Sequence, residues 1–596
     1  MCEAKIVTDP SALPVEVRKK GLPAVYRVTD VYGSPGTESD LGVENLRGSG
    51  TIAGETAKAY RDVVTLTVVV GRSVGIGAYL VRLGHRTIQR RTNSPIILTG
   101  YQALNKLLGT PVYNSNDQLG GPSIMYPNGV SHLVAGDHLD AVSKALEWLS
   151  YVPSKRGADL PVIAANDPVD RDVLWRPLPN TPYDPRHLLA GSTRKDAQNN
   201  AELVSAEVGD FIPGFFDRDS LTETLAGWAK TVVVGRARLG GIPVGFIVTE
   251  NRTAEAQHPA DPADPSSSET VTNQAGGVWF VDSAHKTAQA IADFDAEDLP
   301  LFIFANWRGF SGGQRDMFDE ILKFGAQIVD RLVAFTKPVF VYIPPLAELR
   351  GGAWVVVDPT INADVMEMYA ADEARGGVLE PGGIVEIKFR EKELKAMMHR
   401  LDETLKSLDA ALLEARGDAD SGREAELRRQ VDTREKSLLP VYTSVAVHFA
   451  DLHDTPGRMR HTGVVREVVP WKRARAYFHT RLRRRLLEFA KRDVLRTASR
   501  GSLTESEASR ELQKAFTEAH PGQSFDTDDA AVLDFLSSDA AVFDTLTQQV
   551  EARAVAMTVE DLAATNPAMA AHAFADAAKR NPALRDLLQQ HLSSSS

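Results

Sequence analysis

The stretch Leu301–Arg315, LFIFANWRGFSGGQR, constrains the fold more than any other part of this chain. It begins with four apolar residues after Pro300, a pattern that is typical of a buried strand. A glycine-rich turn at 309–313 follows, and apolar residues then recur at helical spacing over Met317–Phe335. A strand, a glycine turn and a helix in this order direct backbone N–H groups toward an anion. Arg308 stands beside the turn, where a guanidinium can hold a carboxylate through two parallel hydrogen bonds.

The same arrangement occurs again about one helix further along. Pro338–Pro344, PVFVYIP, predicts another buried strand, and Glu348–Trp354, ELRGGAW, follows it. Near the start, Thr65–Val70 predicts a strand that leads into the glycine turn of Arg72–Tyr79. An isolated turn of this kind more often reflects close packing of a helix on a strand than ligand contact. Because the design is repeated here, we favour a ligand-binding interpretation.

Several long segments resemble the carboxyltransferase domain of the multidomain acetyl-CoA carboxylases of eukaryotes. They are LRGSG (46–50), GRSVGIGAYLVRLGHRTIQ (71–89), PIILTG (95–100), WLSYVP (148–153), GWAKTVVVGRARLGGIPVG (227–245), ANWRGFSGGQRDMF (305–318), ELRGGAWVVVDPTIN (348–362) and VLEPGG (378–383). The resemblance extends from about Leu46 to about Leu487 and is loose beyond that point. It implies an α/β fold of two crotonase-like (ββα superhelix) domains, with a helical hairpin and a helical C-terminal tail.

We divide the chain into four parts on this basis. Residues 1–155 are expected to form a partial N-terminal carboxyltransferase subdomain on the acetyl-CoA side, and the proline-rich residues 156–205 a linker. Residues 206–495 are expected to form the C-terminal subdomain on the biotin side, including a helical hairpin at 386–440. Residues 496–596 predict a helical tail. The family carries an upstream Ser-Gly-Ala-Arg-Ile-Gly motif that this sequence lacks, so we expect the first domain to be incomplete.

The composition argues against several classes of function. The chain has 596 residues, a net charge of −12 and one cysteine, Cys2. The negative charge argues against a nucleic-acid partner, and the single cysteine excludes an internal disulfide framework and fits a reducing compartment. No apolar run of about 18 residues predicts a membrane span, and the first residues lack a secretory signal pattern. We therefore expect a cytoplasmic or plastid location and no membrane partner.

The resemblance implies a reaction, its cofactor and its partners. The reaction moves a carboxyl group from carboxybiotin to acetyl-CoA and gives malonyl-CoA, as in fatty acid synthesis. Backbone amides at the glycine turns would stabilise the negative oxygens of the thioester and of biotin. The resemblance implies that biotin arrives on a separate carrier domain and that this region binds no metal. The Met-Lys-Met target of biotinylation does not occur in this sequence. The family's sites lie between subunits, which implies a homodimer.

The resemblance also assigns site residues. The catalytic set comprises two arginines as carboxylate clamps together with residues of the glycine turns: Arg72, Gly75, Ile76, Arg308, Gly312, Gly351 and Gly352. The substrate-binding set lines the pocket around them: Leu46, Tyr79, Phe310, Ser311, Gly313, Trp354 and Glu380.

Two other functions remain open at this stage. Gly309–Gly313 matches G-x-S-x-G, the nucleophile elbow of α/β-hydrolases, with Ser311 as the nucleophile. No acid and histidine follow it convincingly in the order that such enzymes need. The chain could instead be a truncated dimerisation module without activity. We interpret His132 as a structural histidine, and the basic segment Trp471–Lys491 as a packed helix whose arginines pair with acidic residues.

Overall fold

A unit of a long strand, a short strand and a helix recurs along the chain. The computed structural model describes residues 3–8, 26–33, 46–165, 167–197, 210–417 and 420–594. One such unit runs through Val339–Ile343, Glu348–Arg350 and Gly351–Val355. The long strands lie side by side in a sheet, whereas the short strands pair in small separate sheets. The chain therefore turns sharply after each long strand, and the glycine-rich turns lie at those points.

The second half is built on a seven-stranded sheet, counted over the described residues. Three antiparallel strands form one end, and the remaining four strands run parallel to the third of them. The strands, in spatial order, are Thr222–Thr224, Val232–Leu239, Ile242–Thr249, Leu301–Phe304, Val339–Ile343, Met366–Ala370 and Glu467–Val468. Phe215, Phe302, Tyr342 and Phe478 fill the core on one face, each fully buried.

The first half contains a smaller parallel sheet of Thr67–Val69, Thr87–Arg90 and Leu133–Ala135. The short strands Ser73–Val74 and Ile96–Ile97 pair beside it. Its helices are Ser49–Asp62, Ile76–Leu83, Tyr101–Leu108, Asp117–Gly120, Pro122–Met125 and His138–Leu149.

Other short strands form pairs of their own. These are Glu3–Thr8 with Tyr26–Gly33, Gly191–Thr193 with Phe211–Pro213, Ala254–His258 with Thr270–Gln274, Val278–Trp279 with Gly309–Phe310, and Glu348–Arg350 with Arg375–Gly377. Further helices of the second half are Pro185–Ala190, Val281–Ala296, Gln314–Phe318, Ile321–Ala334, Pro381–Lys388, Glu391–Leu401, Glu403–Gly417, Ser421–Asp451, Pro456–His461 and Trp471–Ala498, with a 3₁₀ turn at Pro359–Asn362.

A buried charged cluster joins the two halves. Glu297 is fully buried and accepts hydrogen bonds from Arg86 Nε at 2.5 Å and from Arg236 Nε and Nη2, each at 2.6 Å. His132 is also buried and lies 3.6 Å from Asp293 Oδ2. Burial lowers the pKa of this histidine, although Asp293 opposes the shift. The structural interpretation of His132 is therefore confirmed.

The prediction of a single helix over Met317–Phe335 is wrong in one respect, because the structure has two helices there. Gln314–Phe318 ends before Glu320, whose φ of 76° is left-handed, and Ile321–Ala334 begins after it. The left-handed residue interrupts the helical hydrogen bonding. The apolar spacing alone does not reveal this break.

The segment predicted as a linker is ordered where it is described and packs on the second half. Trp175, Leu188 and Leu189 are buried in the core of the large sheet. The indole N–H of Trp471 donates to Trp175 O at 2.7 Å, which ties the segment to the long basic helix. Residue 166 and residues 198–209 lie outside the described part of the chain. The domain boundaries themselves stay a prediction.

The region predicted as a helical hairpin is more elaborate. Glu391–Leu401 precedes the hairpin of Glu403–Gly417 and Ser421–Asp451 and packs on both of its helices. His399 links all three, because its Nδ1 lies 2.6 Å from Asp409 Oδ2 and its Nε2 lies 2.8 Å from Glu435 Oε1. These hydrogen bonds, first with Glu435 and then with Asp409, raise the pKa of His399.

Replacing His399 with glutamine is expected to loosen this three-helix unit at acidic pH more than at alkaline pH. A raised folded-state pKa contributes stability that is complete below the unfolded value of about 6.5 and is lost as pH rises through the folded value. Lys395, 3.0 Å from Glu435 Oε2, remains as a cation on that carboxylate. Hydrogen exchange of 391–451 measured across pH tests this, with the exposed His461→Gln as control. A pH-independent difference between wild type and His399→Gln would contradict it.

The packing interpretation of the basic helix Trp471–Ala498 is confirmed. Phe478 and Leu482 are fully buried, and Arg475 donates to Asp217 Oδ1 at 2.7 Å. The tail that follows is helical, as predicted, and its helices are Glu505–Ala519, Asp529–Ser538, Ala540–Thr565, Pro567–Arg580 and Pro582–Ser594. Within the described residues, no helix has the length and apolar character needed to cross a bilayer.

Candidate active site

The turn at 309–313 is anchored on a stack of aromatic rings. The short strand Gly309–Phe310 pairs in parallel with Val278–Trp279. The ring of Trp279 stacks on Trp307 at a centroid distance of 4.0 Å and on Phe310 at 5.0 Å. Ser311 N donates to Trp279 O at 2.8 Å, which fixes the start of the turn. The rigid stack therefore sets the position of the exposed glycines that follow.

The second glycine turn lies directly against the first. Trp307 forms a parallel bridge with Leu349, and Arg350 N donates to Trp307 O at 2.9 Å. A Cβ placed on Gly352 would lie 3.8 Å from Phe310 Cδ2. The two turns that the sequence places about 40 residues apart thus form one continuous surface.

Glycine is required at position 351 for two reasons. Its φ is +44°, and a Cβ there would lie 2.9 Å from the carbonyl oxygen of Val378. A side chain would therefore meet both backbone strain and a clash. Gly352 has neither constraint and is exposed, which leaves its surface accessible to a ligand.

Gly312 and Gly313 supply backbone donors at the surface. Both are exposed, and no described residue accepts a hydrogen bond from either N–H. Gly351 begins a short helix, so its N–H is one of those without an intrahelical partner. The two turns can therefore offer several N–H groups to one negatively charged oxygen.

Arg308 belongs to a chain of ion pairs beside these turns. Its Nε donates to Glu348 Oε1 at 2.7 Å, and Glu348 Oε2 accepts from Arg350 Nε at 3.0 Å. Arg350 is buried and its Nη1 donates to Asp454. Burial raises the pKa of the Asp454 carboxyl, and Arg350 opposes that shift. Glu380 is the last member of this series of ion pairs, and its Oε1 lies 3.7 Å from Arg308 Nε.

The participation of Glu348 and Asp454 in these ion pairs was not predicted from the sequence. Glu348 lies in the segment ELRGGAW, of which only Gly351, Gly352 and Trp354 were predicted as site residues. Asp454 is more than 100 residues from its partner Arg350, so no local pattern connects them. The side chain of Arg308 stays 64% exposed despite its ion pairs, which leaves it accessible to an incoming carboxylate.

Trp354 lines an open cavity of about 600 Å³ next to Gly351 and Gly352. Val355, Val378 and Met459 make its walls mostly apolar. The indole N–H of Trp354 donates to Asp358 Oδ2 at 2.8 Å, which fixes the orientation of the ring. An apolar pocket beside a set of amide donors suits a flat ring that carries a polar edge.

The turn of the first half has the required backbone conformation. Gly75 has φ 58° and ψ −117°, and its N–H donates to Ile97 O at 2.9 Å. The N–H groups available for a ligand therefore begin at Ile76, the first residue of the helix Ile76–Leu83. Tyr79 is 59% exposed and Leu46 is 67% exposed, so neither belongs to the core. Arg72 is also exposed.

The structure brings together the predicted residues of the second half: Arg308, Phe310, Ser311, Gly312, Gly313, Gly351, Gly352, Trp354 and Glu380. It does not join them to those of the first half. Among the described residues, no hydrogen bond, ion pair or ring contact links the turn at 72–79 to those at 309–313 and 351–352. The two candidate half-sites are therefore not linked by such contacts within one chain.

Ser311 does not have the surroundings of a catalytic serine. Its hydroxyl donates to the carboxylate of Asp316. No described histidine hydrogen-bonds to it, whereas a nucleophilic serine needs a base that can accept its proton. The match to G-x-S-x-G therefore reflects the need for a tight turn, and the serine hydrolase alternative is not favoured.

Known proteins match most of the chain. The carboxyl transferase domain family model covers residues 13–486. Acetyl-CoA carboxylase of Dictyostelium discoideum is 56% identical over 459 residues, 76% of this chain and 20% of the relative. The Schizosaccharomyces pombe enzyme is 51% identical over 510 residues, 85% of this chain and 21% of the relative. Acetyl-CoA carboxylase 2 of Arabidopsis thaliana is 52% identical over 481 residues, 81% of this chain and 20% of the relative. The chain spans about a fifth of the length of these relatives.

A solved structure shares the fold. The transcarboxylase 12S structure with methylmalonyl-coenzyme A and methylmalonic acid bound superposes with a TM-score of 0.53 and 18% identity. The match covers 75% of this chain and 70% of that chain. The mixed α/β architecture is thus similar to that of the transcarboxylase 12S structure. The sequence similarity to acetyl-CoA carboxylases does not favour the alternative of a non-catalytic truncated dimerisation module. With four fifths of its length covered by one family model, the chain belongs to the carboxyl transferase domain family.

Proposed function

We propose that this chain catalyses carboxyl transfer from carboxybiotin to acetyl-CoA, the second half-reaction of an acetyl-CoA carboxylase. We further propose that its halves are two crotonase-like domains, the first binding acetyl-CoA and the second biotin. The observation that carries the proposal is the contact between the turns at 309–313 and 351–352, with Arg308 at their edge. The sequence similarity to acetyl-CoA carboxylases supports the same choice of substrates.

The residues of the chain have separable roles in this proposal. Biotin, attached to a carrier domain, supplies a carboxyl group and then a basic ureido oxygen. The amides of Gly312 and Gly352 would hold the negative charge on that oxygen, and each such donor is worth about 2.7–4 kcal/mol. The guanidinium of Arg308 would orient the transferred carboxylate. The helix N-terminus at Ile76 would stabilise the enolate oxygen of the thioester.

We also propose that the active site is completed between two copies of the chain. Among the described residues of one chain, no hydrogen bond, ion pair or ring contact joins the turn at 72–79 to the turns at 309–313 and 351–352, yet the transfer needs both. Large apolar side chains are exposed near each of them: Leu98, Leu107, Phe318, Leu322, Val355 and Val378, all at least 60% exposed. Several large exposed apolar side chains on one protein are typical of an interface.

Carboxyl transfer in the reverse direction tests the proposal. Malonyl-CoA and free biotin are supplied to the chain, and the formation of acetyl-CoA is followed. Biotin-dependent formation of acetyl-CoA is expected, and it should fall with dilution if the dimer dissociates. Decarboxylation that does not depend on biotin would contradict the proposed reaction.

Replacing Gly352 with valine is expected to abolish biotin-dependent turnover while the chain still folds and binds acetyl-CoA. The Cβ position is free of clashes, so the valine methyl groups would stand over the proposed ureido site. Valine keeps its N–H, but the methyl groups would prevent the ureido oxygen from reaching it, so the rate should fall by about 10²-fold or more, as for the loss of one donor in such a site.

Gly422→Val is the matched control, since Gly422 lies at the start of the long helix Ser421–Asp451, away from both turns. Acetyl-CoA binding is measured by calorimetry for both variants. Normal transfer by Gly352→Val would refute the assignment of the second turn.

A further inference from the structure

A cavity of about 390 Å³ lies between the large sheet and the C-terminal helices, and it shares Val464 with the cavity beside Gly351 and Gly352. The strand Met366–Ala370 forms one wall. Among the described strands, Glu467–Val468 pairs only with its last two residues, and Arg466 N donates to Met368 O at 2.8 Å, so the sheet edge at Met366 and Glu367 has no strand partner. The helices Trp471–Ala498 and Glu505–Ala519 form the other walls. The cavity therefore exists because the tail covers an incomplete sheet edge.

Arginine dominates the lining of this cavity. Four of its guanidinium side chains come from one face of the basic helix and are at most 6% exposed: Arg481, Arg484, Arg485 and Arg492. They share three carboxylates, Glu367, Glu488 and Asp529. Each guanidinium contacts at least one of these carboxylates, and the four guanidinium groups outnumber the three carboxylates by one. Arg466, Asp364 and Asp526 also line the cavity but are more exposed, so solvent screens them more.

Glu488, which is 1% exposed, is the carboxylate that the largest number of these arginines contact. Arg485 Nη1 lies 3.0 Å from Glu488 Oε1, Arg484 Nη2 lies 3.5 Å from Oε2, and Arg492 also contacts this carboxylate. Arg485 and Arg492 turn other nitrogens to the backbone oxygen of Asp364. Three guanidinium groups thus converge on one carboxylate and one carbonyl.

Some N–H groups of these arginines still lack a hydrogen-bond acceptor. The Nε atoms of Arg484, Arg485 and Arg492 are buried, and none has a hydrogen-bond acceptor in the described residues, although Arg485 Nε lies 3.5 Å from Glu367 Oε1. A buried cationic donor without an acceptor is costly. Excess positive charge and three unused donors on side chains that line one cavity call for an acceptor that is itself negatively charged.

We propose that this cavity binds one small tetrahedral oxyanion of the phosphate type. Such an ion has the charge and the several acceptor oxygens that the converging guanidinium groups need, and its size fits the available volume. The tail contributes Ser509 and Gln513 to the wall, so a bound ion would also tie the tail to the large sheet.

Calorimetric titration of the full chain with inorganic phosphate tests this proposal. Chloride is adjusted so that ionic strength stays constant, which separates site binding from general screening. Binding of one phosphate per chain is expected. The absence of saturable binding at matched ionic strength would overturn the proposal.

Two variants locate the site. Gln513→Glu adds a negative charge at an exposed position of the lining and should weaken phosphate binding about tenfold. Gln549→Glu, at an exposed position outside the lining, makes the same change in net charge and should leave binding unaltered. Equal effects of the two would show that phosphate binds elsewhere.

Arg492→Met removes one converging guanidinium and should abolish binding, whereas Arg496→Met, one turn further along the same helix, should not. Arg496 is a close control because its Nε is also buried without an acceptor, yet the residue does not line the cavity. If Arg492→Met does not fold, the comparison of the two glutamine variants decides.

Discussion

Replacing Arg308 with alanine is expected to lower carboxyl transfer by about 10²–10³-fold, while acetyl-CoA binding and folding stay close to those of the wild type. Arg308 is the residue of the candidate site that combines charge, exposure and a fixed position. Its side chain is 64% exposed, so its removal leaves no buried cavity. Glu348 remains paired with Arg350, at 3.0 Å, so no buried carboxylate is left without a partner. The substitution should therefore lower the rate of carboxyl transfer and leave folding and acetyl-CoA binding largely unchanged.

The comparison of three variants makes this prediction specific. Arg308→Lys keeps the charge but not the two parallel donors and should recover only part of the rate. Arg315→Ala removes another exposed arginine of the same loop region, one that pairs with Asp319 on its own helix at 2.5 Å, and should have no effect. The reverse transfer assay gives the rates, and calorimetry gives the affinity for acetyl-CoA. Equal losses of rate and of affinity in Arg308→Ala would show that it does not orient the carboxylate.

Much of this site could be predicted because its parts are local in sequence. A buried strand, a glycine turn and a helix occupy adjacent residues, so Leu301–Phe304 and the turn after it are readable without a structure. The conformations at Gly75 and Gly351 likewise follow from a residue type that tolerates positive φ. Resemblance to a family then assigned the arginines, and the structure places Arg308, but not Arg72, against the paired turns.

The contacts that depend on distant residues were not predictable in the same way. Asp454 reaches Arg350 only because the helix Ser421–Asp451 returns the chain to the sheet edge. Nothing in the sequence around either residue signals this pairing. The aromatic stack of Trp279 on Trp307 depends on two short parallel strands whose pairing also has no local signature. Sequence patterns therefore identify the turns, whereas tertiary packing decides what supports them.

Replacing Glu297 with alanine is expected to destabilise the chain by about 3–5 kcal/mol, the cost of breaking a buried ion pair by removing one partner. Glu297 is fully buried and is shared by Arg86 of the first half and Arg236 of the second. Its loss leaves Arg236 without an ion-pair partner among the described residues and Arg86 with Asp293, 3.5 Å away, and the indole N–H of Trp148, 3.3 Å from the carboxylate, loses its acceptor too.

The free energy of the first unfolding transition in urea measures this loss, and Glu403→Ala is the control. Glu403 is 85% exposed and pairs with Lys406 within one helix, an interaction worth at most about 0.5 kcal/mol. Because Glu297 connects the halves, limited proteolysis of Glu297→Ala should release residues before 155 first. A destabilisation below about 1 kcal/mol would mean that packing, rather than this shared carboxylate, holds the two halves together. The expected loss follows from the arrangement itself, in which each arginine comes from a different half and one carboxylate serves both.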